Sequence, residues 1–182
     1  HSALRGNVKG TLVIARMKYL RALGHEESER VLRRMSQADQ AFLRGMLLPS
    51  AWYPADMLLR LELTIAAVLS RGDRRALFLD MGQFSADTNL GPSGVQRPYL
   101  KEGDPHFLLR NVPQLYASQH SGGTRTYEET GPRSATIRTM GGTEDDPEAD
   151  GEAAHPTRLR CGQELPVEIG RASCRERVYC EV

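Results

Sequence analysis

The chain has 182 residues, of which 40% are hydrophobic and 26% are charged, and its formal net charge is +1. This composition is ordinary for a soluble protein, and the length suffices for one domain with its own core. No apolar run approaches the ~20 residues of a membrane-spanning helix, and the N-terminus lacks the apolar stretch of a secretion signal. The composition therefore predicts a cytoplasmic protein with no membrane partner.

The small net charge conceals an uneven distribution. Six acidic residues and no basic residue lie between Glu144 and Glu152, whereas basic residues outnumber acidic ones within 1–143. These bases alternate with apolar helical positions and have no exposed aromatic residues among them. A solvated helix surface is therefore favoured over nucleic-acid binding, and we expect no nucleic-acid partner.

Helical periodicity dominates the first part of the chain. Apolar residues at three- and four-residue spacing predict a helix over 11–23 that ends at Gly24, followed by a second, short helix. Ser36, with an acidic residue three positions later, is a helix-start signature. The segment LLPSAWYP interrupts the pattern, and Pro54 suits the first turn of the next helix, where its missing N–H costs nothing.

The most apolar helix is expected to form the core. Its inward positions are Leu58, Leu61, Ile65, Val68 and Leu69. Asp73 is expected to cap a further helix, and Asp104 with Pro105 is expected to begin another. Pro113 should kink or split that last helix, because proline lacks the N–H donor and its ring displaces a carbonyl.

A β-hairpin is predicted after these helices. TRTYEET and RSATIRTM are rich in Thr, Tyr and Ile, and Gly131-Pro132 between them is a turn signal. A lone hairpin is marginal, so we expect it to pack on the helices or on further strands. The pattern predicts an α/β fold of the α+β kind, with a helix-rich N-terminal part packed on a small antiparallel sheet in a single domain over 1–140.

Residues 141–167 have neither helical nor strand periodicity. They are rich in Gly, Pro and acidic residues, and we expect them to be disordered or loosely draped. A frameshift and a divergent loop explain this composition equally well.

Most catalytic templates are absent. GPSGV lacks the second glycine of a nucleophile elbow, and no phosphate-binding glycine motif occurs. HEESE places Glu29 where a zincin helix needs its second histidine, and the histidines show no metal-ligand spacing. Asp73, Asp80 and Asp87 recur every seven residues, which we interpret as a cap and solvated acids. We therefore predict a protein that is not an enzyme and holds no metal.

Aromatic and polar residues gather around the predicted junction of helices and hairpin. They could line an apolar pocket with a few polar groups, which predicts a small apolar ligand. In the alternative interpretation, Trp52 and Tyr116 belong to the core and Arg125 is exposed on a strand. The candidate ligand-binding residues are Trp52, Tyr53, His106, Tyr116, Arg125 and Tyr127.

Three segments carry a family resemblance. LLPSAWYP, the Asp-bearing stretch that ends in NLG, and TYEETGP all lie within 8–140. Over this range the chain resembles a paralogous family of uncharacterised proteins abundant in myxobacteria. That family is similar in fold to haem-nitric-oxide-binding domains, vinyl-reductase domains and TRAPP-type subunits. The resemblance implies helices packed on a small antiparallel sheet around an apolar pocket, and hence a small-molecule-binding or sensory domain.

The same resemblance implies two alternatives. By similarity to TRAPP-type subunits, the apolar helix that carries Leu58 and Leu61 would bury a partner in a homodimer. By similarity to haem-nitric-oxide domains, His106 would be an axial ligand in a haem-based gas sensor. The propionate motif Y-x-S-x-R of those domains is missing, because Ser134 and Arg138 stand too far apart. Haem is therefore the weaker alternative, and no cofactor is predicted.

The last residues, 168–182, are expected to be non-native. EIGRASCRERV, from Glu168 to Val178, resembles a translated short-read sequencing adapter. Cys174 and Cys180 then carry no redox or metal chemistry. Family members continue past the hairpin with a further helix and strands, so we expect this chain to be truncated at its C-terminus. The alternative is a real basic tail with sulfur chemistry.

Overall fold

The computed structural model describes residues 6–132, 134–140 and 164–168. The helices there are α1 Gly10–Leu23, α2 His25–Leu32, α3 Gln37–Arg44, α4 Ala55–Leu69, α5 Arg74–Leu90, α6 Pro105–Arg110 and α7 Val112–Gln119. The strands are β1 Asn7–Lys9, β2 Trp52–Pro54, β3 Thr124–Gly131, β4 Ser134–Met140 and β5 Glu164–Glu168. Helices with two small antiparallel sheets confirm the predicted α+β class. In the described ranges no helix has both the length and the apolar character that crossing a bilayer requires.

Three helices begin where the sequence predicts. The side chains of Ser36, Asp73 and Asp104 each accept a hydrogen bond from the backbone N–H three residues later, at 3.1, 2.8 and 3.1 Å. Each bond satisfies an N–H that the first turn leaves without an intrahelical partner. Pro113 acts as predicted, because the chain divides into α6 and α7 just before it.

The main core lies among the helices. Leu61 and Ile65 of α4 have no exposed surface, which confirms α4 as the central core helix. Their neighbours in this cluster include Val13, Leu20, Val31, Leu43 and Met81. Burial of an aliphatic side chain contributes about 1.5–3 kcal/mol, so this cluster is the principal stabilising element.

The short sheet β1–β2 has no counterpart in the prediction. LLPSAWYP contains a turn and then β2, which pairs antiparallel with β1 through Val8 and Tyr53. Pro54 is consequently the extended last residue of β2, and α4 begins one residue later, at Ala55. The predicted place of Pro54 inside the first helical turn is therefore wrong by one residue.

The second sheet has the order β3-β4-β5, and its first two strands form the predicted hairpin. Ala135, Ile137 and Leu109 form a small second core between β4 and the helices, so the hairpin packs as expected. Strand β5 pairs with β4 within a segment that we expected to be irregular. Strands pair through backbone hydrogen bonds, which do not require an alternation of apolar and polar side chains. For this reason β5 was not predicted. The first residue of the suspected adapter, Glu168, is the last residue of β5, and the rest of 141–182, including the cysteines, lies outside the described residues.

Strand β1 also joins the two cores. Val8 forms an isolated bridge with His120 at the end of α7. Asn7 N–H donates to Ser121 Oγ at 2.7 Å, and Ser121 N–H donates to the Asn7 carbonyl at 2.9 Å. The helical core and the hairpin layer therefore meet along β1.

Candidate functional site

The six predicted site residues occupy three places. Trp52 is 44% exposed, and Tyr53 is buried in the main helical core. The other four residues lie between α6–α7 and the inner face of the hairpin. Arg125 and Tyr127 are two residues apart on β3 and therefore share that inner face, whereas their neighbours on the strand are exposed. The structure therefore separates the β2 pair from the rest. It also buries Tyr116 and exposes Trp52, so the alternative core assignment is right for Tyr116 only.

His106 and Tyr127 form one end of this layer. His106 is 5% exposed, and its Nε2 lies 3.0 Å from the carbonyl oxygen of Pro132. A carbonyl oxygen can only accept, so Nε2 carries the proton in the neutral ring. Nδ1 then accepts from the Tyr127 hydroxyl at 2.5 Å. Burial, followed by the charge of Glu129, raises the pKa of Tyr127, so this phenol stays protonated and acts as a donor.

Charged residues cover the outer side of this pair. Arg110 Nη2 donates to Glu129 Oε2 at 2.9 Å, and its Nη1 lies 3.4 Å from Asp104 Oδ2. Glu129 Oε1 is 3.9 Å from His106 Nε2. The carboxylates are thus already engaged by a guanidinium, and the cluster connects α6 to β3.

Tyr116 and His120 form the other end of the layer. Their rings stack at 4.2 Å between centroids with an interplanar angle of 11°. The Arg125 guanidinium carbon lies 4.6 Å from the centroid of the Tyr116 ring, and Arg125 Nε donates to Thr139 Oγ1 at 3.0 Å. The Tyr116 ring is thus in contact with an imidazole and a guanidinium, and this cluster connects α7 to the hairpin.

His120 is the most unusual group in this layer. Burial, and to a smaller extent the positive charge of Arg125, lowers the pKa of His120 to about 4. Its Nδ1 is buried and makes no hydrogen bond within the part of the chain that the structure describes. A buried polar atom without a partner costs about 1–3 kcal/mol, so its persistence needs a reason.

Sequence reasoning missed His120, Arg110 and Glu129. For His120 a signal existed, because it follows Tyr116 by four residues, the spacing that places two side chains on one face of a helix, although α7 ends one residue before His120. Arg110 and Glu129 meet only after α6 docks on the hairpin, and no local pattern indicates that contact.

Two of the three acids at seven-residue spacing have structural roles. Asp73 caps α5, and Asp80 Oδ2 accepts from the Tyr19 hydroxyl at 2.6 Å. Among the described residues, no group of three or more His, Cys, Asp or Glu side chains could hold a metal ion. Both nitrogens of His106 are engaged in hydrogen bonds, so haem ligation would require one of them to break.

Comparisons of the chain with protein-family models, with curated proteins and with solved structures find no match. The fold class therefore rests on the structure alone. The family resemblance and everything that it implies stay predictions.

Proposed function

We propose that the chain is a non-enzymatic small-molecule-binding or sensory domain, and that the ligand binds at the layer between α6–α7 and the hairpin. The observation that carries this proposal is the buried His120 Nδ1, which has no hydrogen-bond partner within the described residues. A bound molecule with one polar atom would supply the missing hydrogen bond. The apolar side chains of Leu109, Ala135 and Ile137 in the same layer favour a ligand whose remaining surface is mostly apolar.

The states of the titratable groups support a binding role over catalysis. The low pKa of His120, about 4, makes it a weak proton acceptor near neutral pH. Tyr127 has a raised pKa and donates to His106, so it is not an activated nucleophile. These groups suit recognition by neutral hydrogen bonds.

A ligand screen tests this proposal. The full chain is mixed with a library of small apolar molecules that each carry one hydrogen-bonding group, and thermal unfolding is followed by fluorimetry. A true ligand at about 100 times its Kd stabilises the protein by about 2.7 kcal/mol. Calorimetry on His120→Asn and on the distant control Leu63→Ala then locates the site.

The outcomes are distinct. We expect His120→Asn to weaken binding about tenfold, as loss of about 1.4 kcal/mol implies, whereas Leu63→Ala leaves it unchanged. Equal affinity in both variants would place the ligand elsewhere. Chemical conversion of the bound molecule would refute the non-enzymatic half of the proposal.

A protein-interaction role is the second candidate. Its predicted surface on α4 is not available, because Leu58, Leu61 and Ile65 are buried inside the chain's own core. A different observation favours the role. Large apolar side chains are exposed along residues 42–52, from the end of α3 to the start of β2.

A further inference from the structure

An exposed apolar surface runs from the last turn of α3 to the first residue of β2. We call it the 42–52 surface and include Lys9, which lies beside it. Its apolar members are Phe42, Met46, Leu48 and Trp52, with 40%, 87%, 51% and 44% of their surfaces exposed. Single exposed apolar residues are common, whereas a group on one segment indicates an interaction site.

Specific contacts hold this surface in shape. The Tyr53 hydroxyl accepts from the Leu48 N–H at 2.8 Å. Lys9 Nζ donates to the Ser50 carbonyl at 2.9 Å and lies 4.0 Å from the centroid of the Trp52 ring. Leu48 and Ser50 belong to one turn, so the apolar side chains and the ammonium group meet there. An ordered surface loses less conformational entropy on binding than a mobile one.

The charge on this surface is unbalanced. The contacts of the Lys9 ammonium group are the Ser50 carbonyl and the Trp52 ring, and no carboxylate of the described residues forms an ion pair with it. The neighbouring arginines are different, because Arg44 is bound by Glu29 at 2.9 and 2.8 Å and Arg60 is bound by Asp39 at 2.9 and 2.8 Å. The surface therefore presents one uncompensated positive charge beside apolar side chains.

We propose that the 42–52 surface docks an amphipathic segment of a partner protein, with the segment's apolar face on Met46, Leu48 and Trp52 and one of its carboxylates at Lys9. This inference rests on the second candidate function. A single accessible cation matches a single carboxylate, and opposite charges across an interface fix its register.

Two other occupants fit the surface less well. An anionic membrane is held by clusters of several lysines and arginines, whereas the arginines beside this surface are already paired. A second copy of the chain is disfavoured by the symmetry of such a contact, because a self-complementary surface brings like charges together. In an isologous contact centred on this surface, Lys9 would lie near the Lys9 of the second copy unless an acidic residue lay between them.

Trp52 allows a direct test, because it is the single tryptophan of the chain and lies on the surface in question. The full chain is titrated with a synthetic helix-forming peptide that has leucines on one face and glutamates along its edge. A second peptide has lysine in place of every glutamate. We expect the acidic peptide to shift Trp52 emission to the blue saturably, and the basic peptide to bind much more weakly.

Three variants separate the contributions. Lys9→Glu should weaken the acidic peptide roughly three- to tenfold and strengthen the basic one, since the charge contact reverses. Met46→Ser with Leu48→Ser should weaken both peptides about tenfold or more. Leu63→Ser, on an exposed leucine of α4, is the matched control and should change neither. Circular dichroism verifies that each variant is folded.

Other results would overturn the proposal. Equal binding of both peptides, or no effect of Lys9→Glu, contradicts the charge pairing but leaves an apolar interaction surface. A blue shift with phosphatidylserine vesicles and none with the peptide assigns the surface to membranes. If Trp52 emission shifts with protein concentration in the absence of any peptide, and light scattering shows a dimer, the 42–52 surface binds a second copy of the chain. No response to any probe removes the interaction role itself.

Discussion

Replacing His120 with asparagine should change how the stability of the protein depends on pH. The pKa of His120 is about 4 in the folded protein, against an ordinary value of 6.5. Above pH 6.5 neither the folded nor the unfolded chain protonates this ring. As the pH falls from 6.5 to 4, the unfolded chain binds the proton and the folded chain does not, so stability is lost over this interval.

The size of the effect follows from that interval. Each pH unit between the two pKa values costs about 1.4 kcal/mol, so His120 destabilises the wild-type protein by about 3 kcal/mol between neutral pH and pH 4. His120→Asn cannot bind the proton and should lack this loss. Carboxylates such as Asp39 and Glu29 also titrate in acid, but they do so in both proteins and cancel in the comparison.

Urea denaturation measures this difference. The free energy of unfolding is determined for the wild-type protein and for His120→Asn at several values between about pH 7 and about pH 4. We expect the wild-type curve to fall more steeply, so that the difference between the two free energies of unfolding changes by about 3 kcal/mol between neutral pH and pH 4. Parallel curves would show that His120 is solvated, and would refute both its burial and its place in the proposed site.

Three further substitutions test the packing. Gly10→Ala should cost about 1–3 kcal/mol, because a Cβ there would lie 2.7 Å from Tyr53 Cε2 and nearer still to a backbone carbonyl; an unchanged melting temperature would contradict that close approach. Leu61→Ala should cost about 3–5 kcal/mol, and Leu63→Ala on the same helix much less, because only Leu61 is fully buried. Similar costs for the two in chemical denaturation would disprove the position of α4. Asp39→Asn should cost about 1–3 kcal/mol by weakening its paired bonds to an arginine, and an unaltered denaturation midpoint would speak against them.

Much of the helical part could be predicted because its signals are local. Ser36, Asp73 and Asp104 each mark a helix start through a side chain that bonds three residues away. Pro113 divides a helix for an equally local reason. The short pair β1–β2 could not be found this way, since strands of three residues have no measurable period and their partners are far apart in the chain.

The candidate site was predictable in its residue types but not in its grouping. His106, Tyr116, Arg125 and Tyr127 do lie in one layer, because the predicted hairpin packs on the predicted helices. Trp52 does not join them, since the alternation along β2 turns Tyr53 inward and Trp52 outward. Which of the two side chains points inward depends on which face of β2 meets the core. Because β2 itself was not predicted, the inward side chain could not be predicted either.

The hydrogen bonds between Asn7 and Ser121 have a consequence for the kinetics of folding. They close a loop of 114 residues, and the entropy lost in closing so long a loop must be recovered from contacts that form earlier. We therefore expect the helices and the hairpin to fold as separate local units, and the contact of β1 with Ser121 to form after them. The burial of His120 is completed in that late step, so the proposed ligand would bind only to the fully assembled chain and would slow its unfolding.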